Sequence, residues 1–306
     1  MEREGGIIMT TVRIGLCQFG LQEPESYEDF EEHLSRETLK AASQGAEIIL
    51  FPELVTFSLV ALAGSDLTYA QLGDAVVRYV GSFTTRYEAL FTKLAQENGV
   101  IIAAGSHWEP AELKGKGFNT AYLFYPGGRV ERQRKNHLYP SETDYGTITY
   151  DGLKVFDTPK ARIGIMTCYE AEFPEVGRHF MLNGAQILLC PSATYTTRGF
   201  HRVRHCCSAR AVENQLFVAE CHQAGALSVP VDKPTTAYGR SVIFGPIDDQ
   251  TNLNDGIVVE APDPEKELVL LGDVDLDLLE RSRTFSEATI LKDRRPELYR
   301  ERYQIL

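Results

Sequence analysis

Short apolar runs, each bounded by polar or turn-forming residues, recur along most of the chain. Val12-Arg13-Ile14-Gly15-Leu16-Cys17-Gln18-Phe19 and Ala46-Glu47-Ile48-Ile49-Leu50-Phe51 are the first two, and Val100-Ile101-Ile102-Ala103-Ala104-Gly105-Ser106 the third. Runs of this length read as buried strands. Between the first two, residues 27–44 are polar and acidic, with Phe30, Leu34, Leu39 and Ala42 at roughly helical spacing and Gly45 where a C-cap falls. Residues 79–98 read as a second helix closed by Gly99. Asn119-Thr120-Ala121-Tyr122-Leu123-Phe124-Tyr125, the turn Pro126-Gly127-Gly128 and residues 129–134 read as a hairpin. Further strands are expected over 153–157, 162–167, 186–192, 216–221, 241–246 and 268–275, with helices over 176–182 and 201–213. Strands alternating with amphipathic helices define an α/β chain.

Composition narrows this only modestly. The 306 residues are 43% hydrophobic and 24% charged, as in ordinary globular proteins. One domain over residues 11–283 is the economical division. Residues 1–10 are expected to be a disordered or non-native N-terminus, with Met9 an alternative start. Residues 284–306 are expected to be a charged C-terminal arm. The net charge of −12 disfavours a nucleic-acid partner, which needs a positive patch. No run approaches the length of a membrane span. The six cysteines (Cys17, Cys168, Cys190, Cys206, Cys207 and Cys221) show no zinc-type spacing, and the N-terminus has no apolar signal region. Reduced thiols in the cytoplasm are therefore expected.

Chemistry gathers at strand ends. Glu53 follows the second strand, Lys135 the strand over 129–134, and Cys168 the strand Arg162-Ile163-Gly164-Ile165-Met166-Thr167. In open α/β sheets the carboxyl ends of strands collect the active site. A carboxylate can take a thiol proton and return it to a leaving amine, while an ammonium stabilises charge on a tetrahedral intermediate. A cysteine between a strand and a helix also gains from nearby backbone N–H groups. Cys190, Cys206, Cys207 and Cys221 lack a partnered base and read as structural. His107, His201 and His205 have no spacing that supports a metal site.

These segments resemble the nitrilase, or carbon–nitrogen hydrolase, superfamily. Phe51-Pro52-Glu53-Leu54 is similar to the segment bearing the family's catalytic Glu, and Arg134-Lys135-Asn136-His137-Leu138 to its Lys motif. Gly164-Ile165-Met166-Thr167-Cys168-Tyr169-Glu170, with Phe173-Pro174-Glu175, is similar to its nucleophile motif. Glu142 matches a second Glu near the Lys, and Ala209-Arg210-Ala211-Val212-Glu213-Asn214 a helix close to the site. The resemblance implies a four-layer α-β-β-α sandwich with two mixed sheets. It implies that Cys168 is acylated, that Glu53 is the base, and that Lys135 stabilises the oxyanion. Glu142 would position Lys135 or assist proton transfer, with no metal and no organic cofactor. His137 would shape the lysine loop. At least a homodimer is implied, with the C-terminal arm able to meet a second subunit.

The substrate implied is a small amide, with a carbamoyl compound or a nitrile as alternatives. True nitrilases of the family carry Trp after the nucleophile, where this chain has Tyr169. The Tyr169 N–H is expected near the oxyanion. Glu170 and Glu172 either contact a polar substrate group or cap the following helix. If they face substrate, they favour a neutral or cationic amide. Thr194, Tyr195 and Arg198 are expected to form a pocket wall, and Arg198 could equally hold an acidic substrate. A non-catalytic scaffold of the same fold is the rival from another class, and the intact Glu53, Lys135 and Cys168 set speaks against it. Thiol redox chemistry at Cys168 lacks a nearby resolving cysteine.

Overall fold

The computed structural model describes residues 10–303, so the expectation for the N-terminus lies almost wholly outside the described residues. The strands are β1 Thr11–Leu21, β2 Ile48–Leu50, β3 Ile101–Pro110, β4 Gly117–Phe124, β5 Val130–Arg134, β6 Phe156–Asp157 and β7 Arg162–Ile165. After them come β8 Ile187–Ser192, β9 Phe217–Leu227, β10 Thr235–Thr236, β11 Val242–Phe244, β12 Ile257–Glu260 and β13 Leu268–Asp275. The helices are α1 Tyr27–Ser43, α2 Tyr69–Asp74, α3 Thr84–Asn98, α4 Pro140–Asp144, α5 Pro174–Leu182, α6 Thr197–Asn214, α7 Leu276–Phe285 and α8 Pro296–Glu301.

Two mixed sheets result. The first runs β5-β4-β3-β2-β1-β13, with β1, β2 and β3 parallel. The second runs β6-β7-β8-β9-β11-β12, with β7, β8 and β9 parallel. Among the described residues they join where Phe19–Leu21 of β1 pairs with Gln223–Gly225 of β9. Strand alternation then sorts the apolar residues into three layers. Leu16, Leu50, Ala103 and Leu123 of the first sheet meet Ile163, Ile165, Leu189 and Ala219 of the second. On the outer face of the first sheet, Phe19, Ile49, Ile102 and Tyr122 pack on Phe30 and Leu34 of α1 and Phe91 of α3. On the outer face of the second, Leu188, Cys190 and Val218 pack on Phe180 of α5 and Val203 and Cys207 of α6. This is the α-β-β-α sandwich. No helix among the described residues is long and apolar enough to cross a membrane.

Several elements differ from the pattern-based reading. In α1 the buried face is Tyr27, Phe30, Leu34, Thr38 and Ala41, and Leu39 is 59% exposed. That face follows the 3.6-residue period, and position 39 falls off it. The helix expected over 79–98 starts at Thr84, after a π turn over Ala75–Tyr79 and a 3₁₀ turn over Val80–Phe83. The irregularity falls where Gly81 lies against the indole of Trp108, close enough that a Cβ would approach within 3.0 Å. The apolar run Val55–Ala63 forms 3₁₀ turns that the sequence reading missed. The C-terminal residues begin as α7, whose Arg283 donates to the carbonyls of Gln215 and Ala185.

Candidate active site

Glu53, Lys135, Glu142 and Cys168 come together although three different segments carry them. Glu53 stands just past β2, and Leu54 after it takes a left-handed backbone, φ 50°. That turn is held by the Ser106 hydroxyl, which accepts from the Leu54 N–H at 2.9 Å. It is also held by Gln223, whose Nε2 donates to the carbonyls of Glu53 at 3.0 Å and Leu54 at 2.9 Å. Lys135 leaves β5 with its N–H bonded to the Asn119 carbonyl at 2.9 Å. Cys168 follows β7 by three residues and begins a 3₁₀ turn over Cys168–Glu172, again with φ 50°. A non-glycine residue in the left-handed region costs free energy and needs a surrounding that enforces it.

The side chains form one buried array. Lys135 Nζ lies 2.7 Å from Glu53 Oε1 and 2.6 Å from Glu142 Oε2. Asn119 Nδ2 donates to Glu53 Oε1 at 2.9 Å and Glu142 Oε1 at 2.7 Å. Glu142, in α4, also accepts from the Tyr139 N–H at 2.7 Å. The Cys168 thiol, 8% exposed, adjoins Glu53. It reaches the Ala193 carbonyl at 3.9 Å, while the Ala193 N–H donates to Glu53 Oε2 at 3.1 Å.

Burial dominates the electrostatics. It pushes the Glu53 carboxyl above its ordinary range, with Lys135 opposing and Glu142 adding to the rise. Burial works against charge on Lys135, yet Glu142 and Glu53 outweigh it and hold the ammonium well above its usual value. The Cys168 thiol is pushed well up by burial and then by Glu53, with Lys135 opposing. At neutral pH the resting pair is thus a neutral thiol beside a lysine that stays charged.

Glu170 is turned to the backbone of two neighbouring segments. It is completely buried, and its two oxygens accept from the N–H groups of Thr167 at 2.7 Å and Asn136 at 2.8 Å. It therefore ties the Lys135 loop to the Cys168 turn. Burial raises its carboxyl to about 7 against the pull of those two N–H groups. His137 stacks on Phe173 at 4.1 Å between ring centroids and joins the same two segments. Glu172 accepts from Arg202 Nε of α6 at 2.7 and 2.8 Å. With one glutamate enclosed and the other paired, the sequence-based preference for a neutral or cationic amide loses its basis.

The expected pocket wall divides. Tyr195 leaves 41% of its surface exposed, packs near Phe57, and donates to Gln223 Oε1 at 3.3 Å. Tyr169 sits edge-on to Tyr139 at 5.4 Å and to Phe173 at 5.1 Å. Arg198 is exposed in the first turn of α6. Thr194 is a correction, since it is buried and its hydroxyl donates to the Tyr238 carbonyl rather than facing substrate. In the Ala209–Asn214 block, Arg210 Nε donates to the Ala171 carbonyl at 3.1 Å and steadies the Cys168–Glu172 turn. Glu213 pairs with Arg210 at 2.7 Å but is half-buried rather than enclosed.

The other singled-out groups lie elsewhere. His107 is enclosed between the hydroxyls of Thr56 and Thr84, and burial lowers its imidazole to about 3. His201 and His205 are exposed on α6. Among the described residues His33, Glu37 and Glu267 form a separate cluster, already set against Arg36 and Lys40. A recess of about 320 Å³ between Gln22, Phe30, His33 and Ser58 contains none of the array. Asn119, Gln223 and Ser106 were missed. The signal that could have found Asn119 is a polar residue inside an otherwise apolar strand.

A buried Glu-Lys-Glu array beside a strained cysteine, between two sheets of an α-β-β-α sandwich, defines a class. The sequence profile of the carbon–nitrogen hydrolase family matches residues 13–284, and the chain belongs to that family. It is 35% identical over 294 residues to the probable hydrolase YhcX of Bacillus subtilis, covering 96% of this chain and 55% of that protein. The chain thus spans about half the length of that relative. It is 29% identical over 305 residues to the mouse omega-amidase NIT2, covering 95% of this chain and 98% of that one. The fold is shared with a carbon–nitrogen hydrolase from Helicobacter pylori G27, at a TM-score of 0.79 and 21% identity over 96% of this chain and 98% of that one.

Proposed function

We propose that the chain is a cysteine-dependent amidohydrolase acting on a small amide through a thioester on Cys168. The observation that carries this reading is the convergence of Lys135 on Glu53 and Glu142 at 2.7 and 2.6 Å, with Cys168 and Glu53 sharing Ala193. A scaffold protein gains nothing from enclosing two carboxylates and an ammonium, because their desolvation is costly. The similarity to an omega-amidase supports an amide as substrate.

The chemistry follows from the protonation states. The neutral thiol needs a base at the moment of attack, and the Glu53 carboxyl, raised above its ordinary range by burial, is a stronger base than an exposed carboxylate. Cys168 Sγ attacks the amide carbon while its proton passes to Glu53. Charge develops on the carbonyl oxygen, where Lys135 and the Tyr169 N–H stabilise it. Glu53 returns the proton to the amide nitrogen and ammonia leaves, giving the thioester. Water then attacks, losing its proton to Glu53. The acid departs as Cys168 regains its proton. Glu142 and Asn119 hold Lys135 and Glu53 throughout.

Ammonia release from a panel of amides, carbamoyl compounds and nitriles tests this. The wild type is expected to release ammonia from at least one small amide, and the Cys168→Ala variant to lose at least about a thousandfold. Equal rates for the two proteins on every compound would remove the hydrolase reading.

A further inference from the structure

The face of β9 beneath α6 belongs to an apolar layer that includes Val218, Leu188, Cys190, Val203 and Cys207. Glu220 and His222, two residues apart and so on that same face, are both completely buried. A carboxylate and an imidazole in an apolar layer cost free energy unless partnered. Here they partner each other, with His222 Nε2 at 2.6 Å from Glu220 Oε1. His222 Nδ1 lies 3.3 Å from Thr194 Oγ1. The Thr194 hydroxyl donates to the Tyr238 carbonyl, and the Tyr238 N–H donates back to the Thr194 carbonyl at 2.8 Å.

The proton directions follow from these contacts. A carbonyl cannot donate, so the one hydroxyl proton of Thr194 points to Tyr238. Thr194 Oγ1 can then only accept from the ring, which assigns a proton to His222 Nδ1. The 2.6 Å contact between Nε2 and Glu220 holds one more proton, on one partner or the other, and the pair is neutral overall either way. Among the described residues the second oxygen of Glu220 has no partner, so His222 alone holds its side chain.

This relay ends on the peptide between Ala193 and Thr194. On its other side Ala193 donates its N–H to Glu53 and offers its carbonyl to the Cys168 thiol. The next residue of β9, Gln223, points the opposite way and grips the carbonyls of Glu53 and Leu54. Consecutive residues of one strand thus hold both sides of the array. We infer that Glu220, His222 and Thr194 are positioning residues that fix Ala193 so that Glu53 and Cys168 meet in the geometry of acylation. This rests on Cys168 being the nucleophile. None of the three touches the reacting atoms.

Conservative pairs of variants separate positioning from bulk stability. Thr194→Val removes the hydroxyl at nearly constant shape, while Thr194→Ser keeps it. Glu220→Leu removes the partner of Nε2, while Glu220→Gln can donate an amide N–H to it. Rates are measured per active site, counted by the burst of acyl-enzyme in the wild type and each variant. Thr194→Val and Glu220→Leu are expected to lower kcat at least about tenfold with KM within about twofold. Thr194→Ser and Glu220→Gln are expected to stay within about threefold of wild type. Wild-type kcat per active site in Thr194→Val or Glu220→Leu would overturn the inference, as would Glu220→Gln being as impaired as Glu220→Leu. A wild type that never acylates Cys168 overturns the nucleophile assignment itself, and this inference with it.

Discussion

At the level of single residues, the site is built from charges removed from water. Lys135 is tolerated in the interior because two carboxylates flank its ammonium, and both are held in turn by the Asn119 amide. Glu170 offers a test through its titration. Its folded-state carboxyl, raised to about 7, stands above the ordinary value, so the folded protein binds that proton more readily than the unfolded chain. The stability it contributes is therefore complete below the ordinary carboxyl value of 4.5 and lost as pH rises through about 7. Glu170→Gln does not titrate. In urea unfolding, the wild type is expected to lose stability relative to Glu170→Gln as pH rises across that window, and a difference independent of pH would contradict the assignment. Glu53 and Cys168 were legible in the sequence because each follows an apolar strand, whereas Lys135 follows the polar strand Val130–Arg134 and was legible from the motif Arg134-Lys135-Asn136-His137-Leu138. Asn119 and Gln223 were not, since an amide within a strand carries no sign of which buried group it will meet.

At the level of elements, the site depends on irregularities in regular structure. The register of β3 against β4 shifts between Ala103 and Ser106, and Gly105 there has φ +64°. A Cβ at Gly105 would stand 1.8 Å from the Pro52 carbonyl oxygen, beside the Glu53 turn. The bulge thus makes room for Pro52 and turns Ser106 toward Leu54. Gly105→Ala is expected to cost at least about 2 kcal/mol by denaturant unfolding and to reduce acylation of Cys168. Unchanged stability would show that the backbone here can move. The strands and the long helices were legible from periodicity. The 3₁₀ turns over Val55–Ala63 and the break before Thr84 were not, because an apolar run alone does not state its own backbone period. The same limit placed Leu39 on the buried face of α1, where the structure exposes it.

At the level of the whole molecule, the two sheets are held by the layer between them. Leu189 is wholly enclosed in that layer, facing residues such as Leu16 and Leu50 of the other sheet. Leu189→Ala is expected to lose about 2–5 kcal/mol, whereas Leu39→Ala on the exposed side of α1 stays within about 0.5 kcal/mol. Equal losses from the two would contradict the layer assignment. The sandwich also explains how distant segments assemble one site. Parallel strands of the first sheet deliver Glu53, those of the second deliver Cys168 and Ala193, and β4 and β5 supply Asn119 and Lys135. This assembly is proposed to form an acyl-enzyme on Cys168. The most direct measurement is mass spectrometry of the protein mixed with a hydrolysed amide and quenched during turnover, followed by peptide mapping. The account predicts one acyl group on the peptide bearing Cys168, disappearing as substrate is exhausted. Release of ammonia with no adduct at Cys168, or with the acyl group on the half-buried Cys206, would contradict it.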